Sequence, residues 1–506
     1  MTLTILCALP LVGALVTMIT PAGGGRPKQV ALGFSVLALI QGVIAATQFK
    51  RDDSGFQLTE THTWIQAFGA HYALGLDGLG LLMVLLTVAL VPIVLIAGWR
   101  DTDRPSFFAW ALALEGFSLV VFTATDVLLF YVVFEATLIP AYFLIGAHGN
   151  VHGGREGRSW AALKFLMYQL GGGLVLLGGV IGLYVVSSDA GEPSYLLTDL
   201  QQLDISTTAG RWIFLCFFVA FAVKAPLFPL HTWLADATEK ATPPTSVLLV
   251  CILDKIGTFG MLRFCLGLFP EASKWATPVV IVIALISIVY GAFLAIGQDD
   301  LLRLVGLTSL SHFGFITLGI FAFTSQGGTG AILYMVNHGV ATAGLFLVVG
   351  FLLKRHGTVS IRELRGLERT TPVLAGLFLV AGLATLGLPG LSQFVSEMLV
   401  LISAFDYHWL AGAVAVTGIV LAAIYVLWAY QRVFTGPPAE PADAGDAKPA
   451  ADLDRREVGV LAPLVLALVF FGFVPGPLLD VANPTISALM EHAGVTDDQP
   501  TVAAGE

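Results

Sequence analysis

The chain has 506 residues, of which 56% are hydrophobic and only 12% charged, and its mean hydropathy is +0.85. A soluble globular protein carries roughly 25% charged residues, so polar surface this sparse excludes a water-exposed globule and makes lipid the natural solvent. The net charge of −10 sits largely in loops and tails such as 440–446 and 491–506, and no basic run suits nucleic acid.

Apolar runs of spanning length occur, in chain order, at about 3–20, 29–47, 76–98, 106–125, 127–147, 160–186, 210–235, 243–268, 276–296, 301–323, 329–353, 373–405, 410–434 and 457–482. A helix needs ~20 residues to cross the hydrocarbon core, so these predict an all-α polytopic membrane protein of about fourteen transmembrane helices. The first run has no basic segment before it and no small-residue cleavage site after it, which predicts a retained helix. Between the second and third runs, 48–74 alternates around 59–65 and predicts a small extramembrane hairpin. The stretch 436–454 is rich in Pro, Ala and Asp and predicts a flexible linker.

The predicted organisation is then 1–105, three helices with the hairpin; 106–268, a first inverted repeat of five helices; 275–434, a second; 435–456, the linker on the cytoplasmic side; 457–482, the last span; and 483–506, an outside tail. Placing the N-terminus outside puts most of the 25 basic residues in inside loops. Only Lys50, Arg51, Arg211, Arg263 and Lys274 then fall outside, so the basic residues orient both termini outside.

Two of the helices are predicted to be broken. Span 210–235 carries Pro226 and Pro229 in KAPLFPLH, and span 373–405 carries Gly387, Pro389 and Gly390 in GLPGLSQFVSE. Proline removes a donor and clashes with the preceding turn. Interrupted helices in corresponding parts of two halves point to inverted repeats around a polar site at mid-membrane, with Lys224 and Glu397 beside the two breaks.

Ionisable side chains at the bilayer centre cost at least ~2.5–3.5 kcal/mol each, so those retained there mark a pathway or a buried pair. Glu135, Lys224, Lys255, His312, His338 and Glu397 all fall at mid-span. At ~1.5 Å per residue, Lys255 lies roughly 18 Å into its helix, too deep to snorkel. A single such residue is as easily a satisfied core group; a row of both signs at one depth is what lateral proton transfer requires. Burial disfavours a charged lysine and a neighbouring carboxylate restores it, while histidine exchanges protons near neutral pH. The predicted parts are a switchable Glu135–Lys224 pair, a central carrier Lys255, relay histidines His312 and His338, and an exit acid Glu397. His231 follows Lys224 by seven residues and is either a further relay or a hydrogen-bonding plug in the break. Asp254 adjoins Lys255. Glu115 and Asp126 are candidates for a first channel, Asp126 equally for a helix cap, and Lys164 is near enough to its helix end to reach the interface.

Cys7, Cys216, Cys251 and Cys265 lie in apolar runs with no CxxC spacing, which reads as small buried hydrophobes rather than a cluster, zinc or disulfide framework. The chain has no Walker motif and no GxGxxG after a strand, and the glycines at 23–25 and 171–173 suit a loop and close helix packing.

LLFYVVFEATLIPAYFLIGAHG, AVKAPLFPLHTWLADA, QDDLLRLVGLTSLSHFGF, MVNHG and GLPGLSQFVSE resemble the antiporter-like, proton-translocating subunits shared by respiratory complex I and Mrp-type cation/proton antiporters, over about 75–430. By motif, the resemblance implies that Glu135 is the fifth-helix glutamate, Lys224 the seventh-helix lysine and Lys255 the central lysine, with His312 and His338 as relays. Glu397 matches the acid of the NuoM-type members, where sister subunits usually carry lysine, and the chain ends without the long lateral helix of the NuoL type. Two departures stand out: Ala235 replaces the proline of WLPDA, and Leu302 replaces a lysine before Arg303. The resemblance further implies a bacterial cell-membrane location and homologous antiporter-like partners in a hetero-oligomeric NADH:quinone oxidoreductase. It implies flavin, iron–sulfur clusters and quinone on partner subunits, and neither cofactor nor metal on this chain. Alternatives are an Mrp-type Na⁺/H⁺ antiporter subunit, a hydrogenase or F420-linked complex, and a purely structural scaffold.

Overall fold

A computed structural model describes residues 1–21, 23–150, 154–437 and 451–495. Helices α1 (Thr2–Ile19) and α2 (Arg26–Gln48) lead into an antiparallel hairpin, β1 (Gln57–Ile65) with β2 (Ala70–Leu76), in the register Thr61↔Ala73. The hairpin turns at Gly69, φ +63°, where a Cβ would lie 1.7 Å from the Pro193 carbonyl oxygen. Only glycine meets both conditions.

There follow α3 (Gly78–Ala97), α4 (Pro105–Thr123), α5 (Val127–Gly146), α6 (Gly154–Ala190), α7 (Thr207–Lys224), α8 (Thr232–Lys240) and α9 (Pro243–Leu266). Then come α10 (Pro270–Ile296), α11 (Leu301–Phe321), α12 (Ser325–His356), α13 (Pro372–Thr385), α14 (Ser392–Tyr407), α15 (Trp409–Phe434), α16 (Arg455–Phe473) and α17 (Gly476–His492). Thirteen helices among the described residues are long and apolar enough to cross a membrane; α13, shorter but apolar, joins α14 to complete the broken span expected at 373–405.

Helices α9 and α11 are buried over the whole of their apolar windows and α12 over 94% of its own, whereas α1, α2 and α16 are mostly open to the outside of the bundle. The sequence follows this division. The buried trio carries Lys255, His312 and His338, and the lipid-side helices carry exposed Leu15, Ile19, Ile40 and Phe473.

Both breaks occur where expected, and their freed backbone groups are answered. After α7, the Phe228 amide donates to Ser287 Oγ on α10 at 3.0 Å, and the Trp233 indole N–H donates to the Val223 carbonyl at 3.1 Å. After α13, Gln393 Nε2 donates to the Thr385 carbonyl at 2.6 Å. Such substitution is what allows irregular backbone at membrane depth. Ala235 leaves α8 uninterrupted, and Leu302 is fully buried on α11.

Residues assigned to one face meet one another. Lys28 pairs with Asp103 at 2.6 Å, Lys354 with Asp101 at 2.5 Å, Arg100 with Asp454 at 2.7 Å, and Arg355 with Glu457. On the opposite face Arg263 pairs with Asp77 and Arg51 approaches Asp480.

The chain's end differs from expectation. The last span stops at Phe473, where Pro475 and Gly476 end it, and 476–492 form the separate helix α17 instead of the start of a tail. That helix is held: the Gly78 amide donates to Thr485 Oγ1 at 2.9 Å, and Ile486 and Met490 are buried. The tail beyond 495 and the linker over 438–450 lie outside the described residues.

Candidate functional site

The site is built on α9. Two of its segments, Val247–Leu253 and Met261–Leu266, are π-helical and flank Lys255. A π turn widens the helix, leaves carbonyls without their usual amide, and is a recurrent mark of functional sites. Here Lys255 Nζ donates to the Val250 carbonyl at 3.3 Å, within the widened turn. On its other side it meets His338 Nδ1 at 2.6 Å and lies 4.6 Å from the centroid of the Phe313 ring. Gly257 lets α9 press on the first break, since a Cβ there would lie 2.4 Å from the Ala225 amide nitrogen.

From Lys255 a row of polar groups runs through the buried helices. The His338 ring faces that of His312 with centroids 5.0 Å apart. His312 Nδ1 is 2.8 Å from the Tyr334 hydroxyl, which donates to Glu397 Oε1 at 2.8 Å. Because that hydroxyl hydrogen is committed to the carboxylate, Nδ1 of His312 is the donor to Tyr334. Gln393 Nε2 donates to the same Glu397 oxygen at 3.0 Å, and the Tyr425 hydroxyl is 3.4 Å from His312 Nε2. Lys255, His312, Tyr334, His338 and Glu397 are all buried. The imidazole-to-imidazole step is the one place in this row, among the described residues, with no hydrogen bond.

The structure thus brings four expected residues together and adds three: Tyr334, Gln393 and Tyr425. Tyr334 precedes His338 by four residues and Gln393 precedes Glu397 by four, so each shares a helix face with its ionisable neighbour. That spacing is the signal that could have found these two; Tyr425 comes from a separate helix and carries none.

The other end is arranged differently. Lys224 ends α7, and its Nζ donates to Thr137 Oγ1 at 3.2 Å while sitting 4.5 Å from the Phe134 ring centroid. Among the described residues no ion pair joins it to Glu135. Instead Glu135 Oε1 is buried without a hydrogen bond against Gly173 of α6, where a Cβ would lie 1.7 Å from it. Glu397 is seated in the same way: a Cβ on Gly387, φ +74°, would lie 1.8 Å from Oε2. Asp254 is buried beside Lys255 with both oxygens unpartnered.

The remaining candidates take other places. Asp126 caps α5, accepting from the Leu129 amide at 2.9 Å and the His71 amide at 2.8 Å. Lys164 pairs with Asp236 at 2.6 Å, and Asp236 also accepts from Arg303 at 2.8 Å, which ties α6, α8 and α11 together. His231 is nearly buried at the start of α8, its ring against Phe228 and Tyr290. Glu115 is fully buried on α4 with both carboxyl oxygens unpartnered.

A family model described as "NADH:quinone oxidoreductase/Mrp antiporter, TM" matches residues 124–422. NADH-quinone oxidoreductase subunit M of Mycobacterium tuberculosis is 44% identical, over 99% of this chain and 96% of that one. The subunit M of Rhodobacter capsulatus is 34% identical over 97% of this chain and 96% of its own length. A chain of respiratory complex I from Thermus thermophilus superposes with a TM-score of 0.88 at 32% identity, covering 98% of this chain and all of that one. A chain of the Mrp complex from Dietzia superposes at 0.85 with 21% identity over 97% and 98%, a likeness of fold alone.

Proposed function

The chain belongs to the membrane-subunit family shared by NADH:quinone oxidoreductases and Mrp antiporters, and from that premise we propose that it translocates protons as a subunit of an NADH:quinone oxidoreductase. The observation that carries this reading is the row Lys255–His338–His312–Tyr334–Glu397, buried throughout and hydrogen-bonded at every step but one. Similarity to complex I subunits at 32–44% identity over nearly the whole chain favours it over the antiporter alternative, since the Mrp chain matches at 21% identity, a likeness of fold alone.

In this reading a proton on Lys255 passes to His338 Nδ1 across their 2.6 Å contact. It crosses to the His312 ring, and His312 gives its Nδ1 proton to Tyr334 as Tyr334 gives its own to Glu397. Lys224 takes a proton on the opposite side. Glu135 acts as a switch that closes on Lys224, since no direct ion pair joins the two in this arrangement. The two five-helix runs, 106–268 and 275–434, act as inverted repeats around this axis. The complex lies in a bacterial cell membrane with both termini outside, beside homologous antiporter-like subunits. Flavin, iron–sulfur clusters and quinone are held by other chains, which do the redox chemistry.

The test is to tag this chain, solubilise gently and assay what co-purifies for NADH oxidation coupled to quinone reduction. A large assembly with flavin, clusters and that activity supports the reading. An assembly without them, showing sodium-dependent pH changes in vesicles, supports the antiporter instead. Lys255→Ala is expected to lower proton translocation roughly 100-fold with assembly intact; unchanged pumping would leave only a scaffold.

A further inference from the structure

Eight residues beyond Lys255, the second π segment of α9 carries Arg263. Its guanidinium makes two parallel hydrogen bonds to Asp77, Nη1 to Oδ2 and Nη2 to Oδ1, both 2.6 Å. Both side chains are more than nine-tenths buried. The guanidinium also lies over two rings, Phe56 before the hairpin at 4.8 Å and Phe259 of α9 at 5.1 Å. Asp77 is itself fixed, because the same carboxylate caps α3 by accepting from the Gly80 amide at 2.8 Å. Its neighbour Gly78 is packed against α17, where a Cβ would lie 2.0 Å from the Val481 carbonyl oxygen. The anchor therefore rests on three elements other than α9.

A planar, two-pronged pair of this kind fixes orientation as well as position. What it orients is a π turn. Such a turn can revert to ordinary α-helical spacing by a small rotation, and any rotation of α9 swings Lys255 away from His338. The titratable groups facing this end of α9 are Asp77, Arg263 and, from α17 across the cavity the three share, His492, and no carboxylate or cation outside the pair is bonded to either member among the described residues.

We propose that Arg263 is a positioning residue for proton transfer: clamped by Asp77, it holds the outer segment of α9 in the rotation that seats Lys255 Nζ against His338 Nδ1. This rests on the proton-transfer reading above. The clamp acts through helix geometry, more than two turns from the transferring atoms, and takes no proton itself.

The test compares Arg263→Gln, Asp77→Asn, Arg263→Lys and the exchanged pair Asp77→Arg/Arg263→Asp in the intact complex reconstituted into vesicles, beside wild type and Lys255→Ala. Proton uptake per NADH oxidised is measured as a function of pH, normalised to assembled complex. Arg263→Gln and Asp77→Asn are expected to lower translocation by up to about 100-fold, the scale that about 1 Å of misplacement reaches, and to displace its pH profile. Arg263→Lys keeps the charge but loses the fork, so it should fall between. The exchanged pair restores the fork but not the α3 cap, so it should recover part of the loss and return the profile toward wild type. Variants that pump normally overturn the proposal. So does a loss that merely follows the amount of assembled complex with an unmoved profile, and if Arg263→Gln does not assemble, Arg263→Lys and the exchanged pair decide by the same two readouts. A wild type that does not pump, or a Lys255→Ala that pumps normally, would instead refute the proton-transfer reading.

Discussion

At the scale of single residues, the row depends on groups with no charge of their own. Tyr334 bridges His312 and Glu397 through two 2.8 Å hydrogen bonds, and although Gln393 Nε2 also lies 3.4 Å from His312 Nδ1 and 3.0 Å from Glu397, an amide has no proton to relay. Tyr334→Phe keeps the ring and removes the bridge. It is expected to slow NADH-driven proton uptake roughly 100-fold, read in vesicles with a pH-sensitive dye, while the assembled complex stays at wild-type amounts. Gly173 makes a second test. Gly173→Ala must displace the Glu135 carboxylate, whereas Gly171→Ala meets nothing within 4 Å. The first should cut translocation by up to about 100-fold and the second leave it unchanged; equal behaviour of the two would sink the idea that Glu135 needs its seat. The charged members of the row were legible in the sequence because carboxylates, lysines and histidines are costly inside apolar runs. Tyr334 and Gln393 were not, since a phenol or an amide in such a run is ordinary until a partner four residues on gives it a direction. The expected Glu135–Lys224 pair is not a direct ion pair among the described residues: Lys224 Nζ rests on Thr137 and the Phe134 face, and Glu135 takes its own seat against Gly173.

At the scale of elements, the breaks could be read from Pro226, Pro229, Pro389 and the glycines, because those residues act through the backbone alone. The π segments of α9 could not, since Val247–Leu253 is as good an α-helix sequence as any neighbour and only packing decides its turn. The loop after α5 provides a pH test. His148 lies beside Ser106, Arg104 and Arg158, and burial, then the two guanidinium groups, push its imidazole down to about 4 from an ordinary 6.5. The unfolded chain therefore binds more protons between those values, and this loop loses stability as pH falls from about 6.5 toward 4. His148→Gln, which cannot titrate, is expected to flatten that part of the stability curve, measured as the thermal midpoint of the purified complex against pH; an unaltered slope would show that His148 is not responsible.

At the scale of the whole molecule, the all-helical membrane fold followed from hydropathy, and the end of the last span did not. Helix α17 escaped because Pro475, Gly476 and Pro484 break its apolar pattern. Its role is nevertheless architectural. Ile486 and Met490 pack on Gly328 of α12, and Thr485 holds the start of α3. A stop codon after Pro475 should uncover that face of α12, and the assembled complex recovered from membranes is expected to fall several-fold, about what losing two or more large buried side chains implies. Normal recovery would mean that α17 is dispensable.

The two glycine seats carry a warning for anyone engineering this protein. An alanine inside a helix is ordinarily worth up to about 1 kcal/mol over glycine, so a propensity-driven redesign for stability would replace Gly173 early. It would gain helix propensity and fill the recess where a carboxylate rests. Gly387 is protected from the same mistake by its left-handed backbone, which would report the substitution as strain. Of the two seats, only the one beside Glu135 would vanish under an improvement that looks harmless.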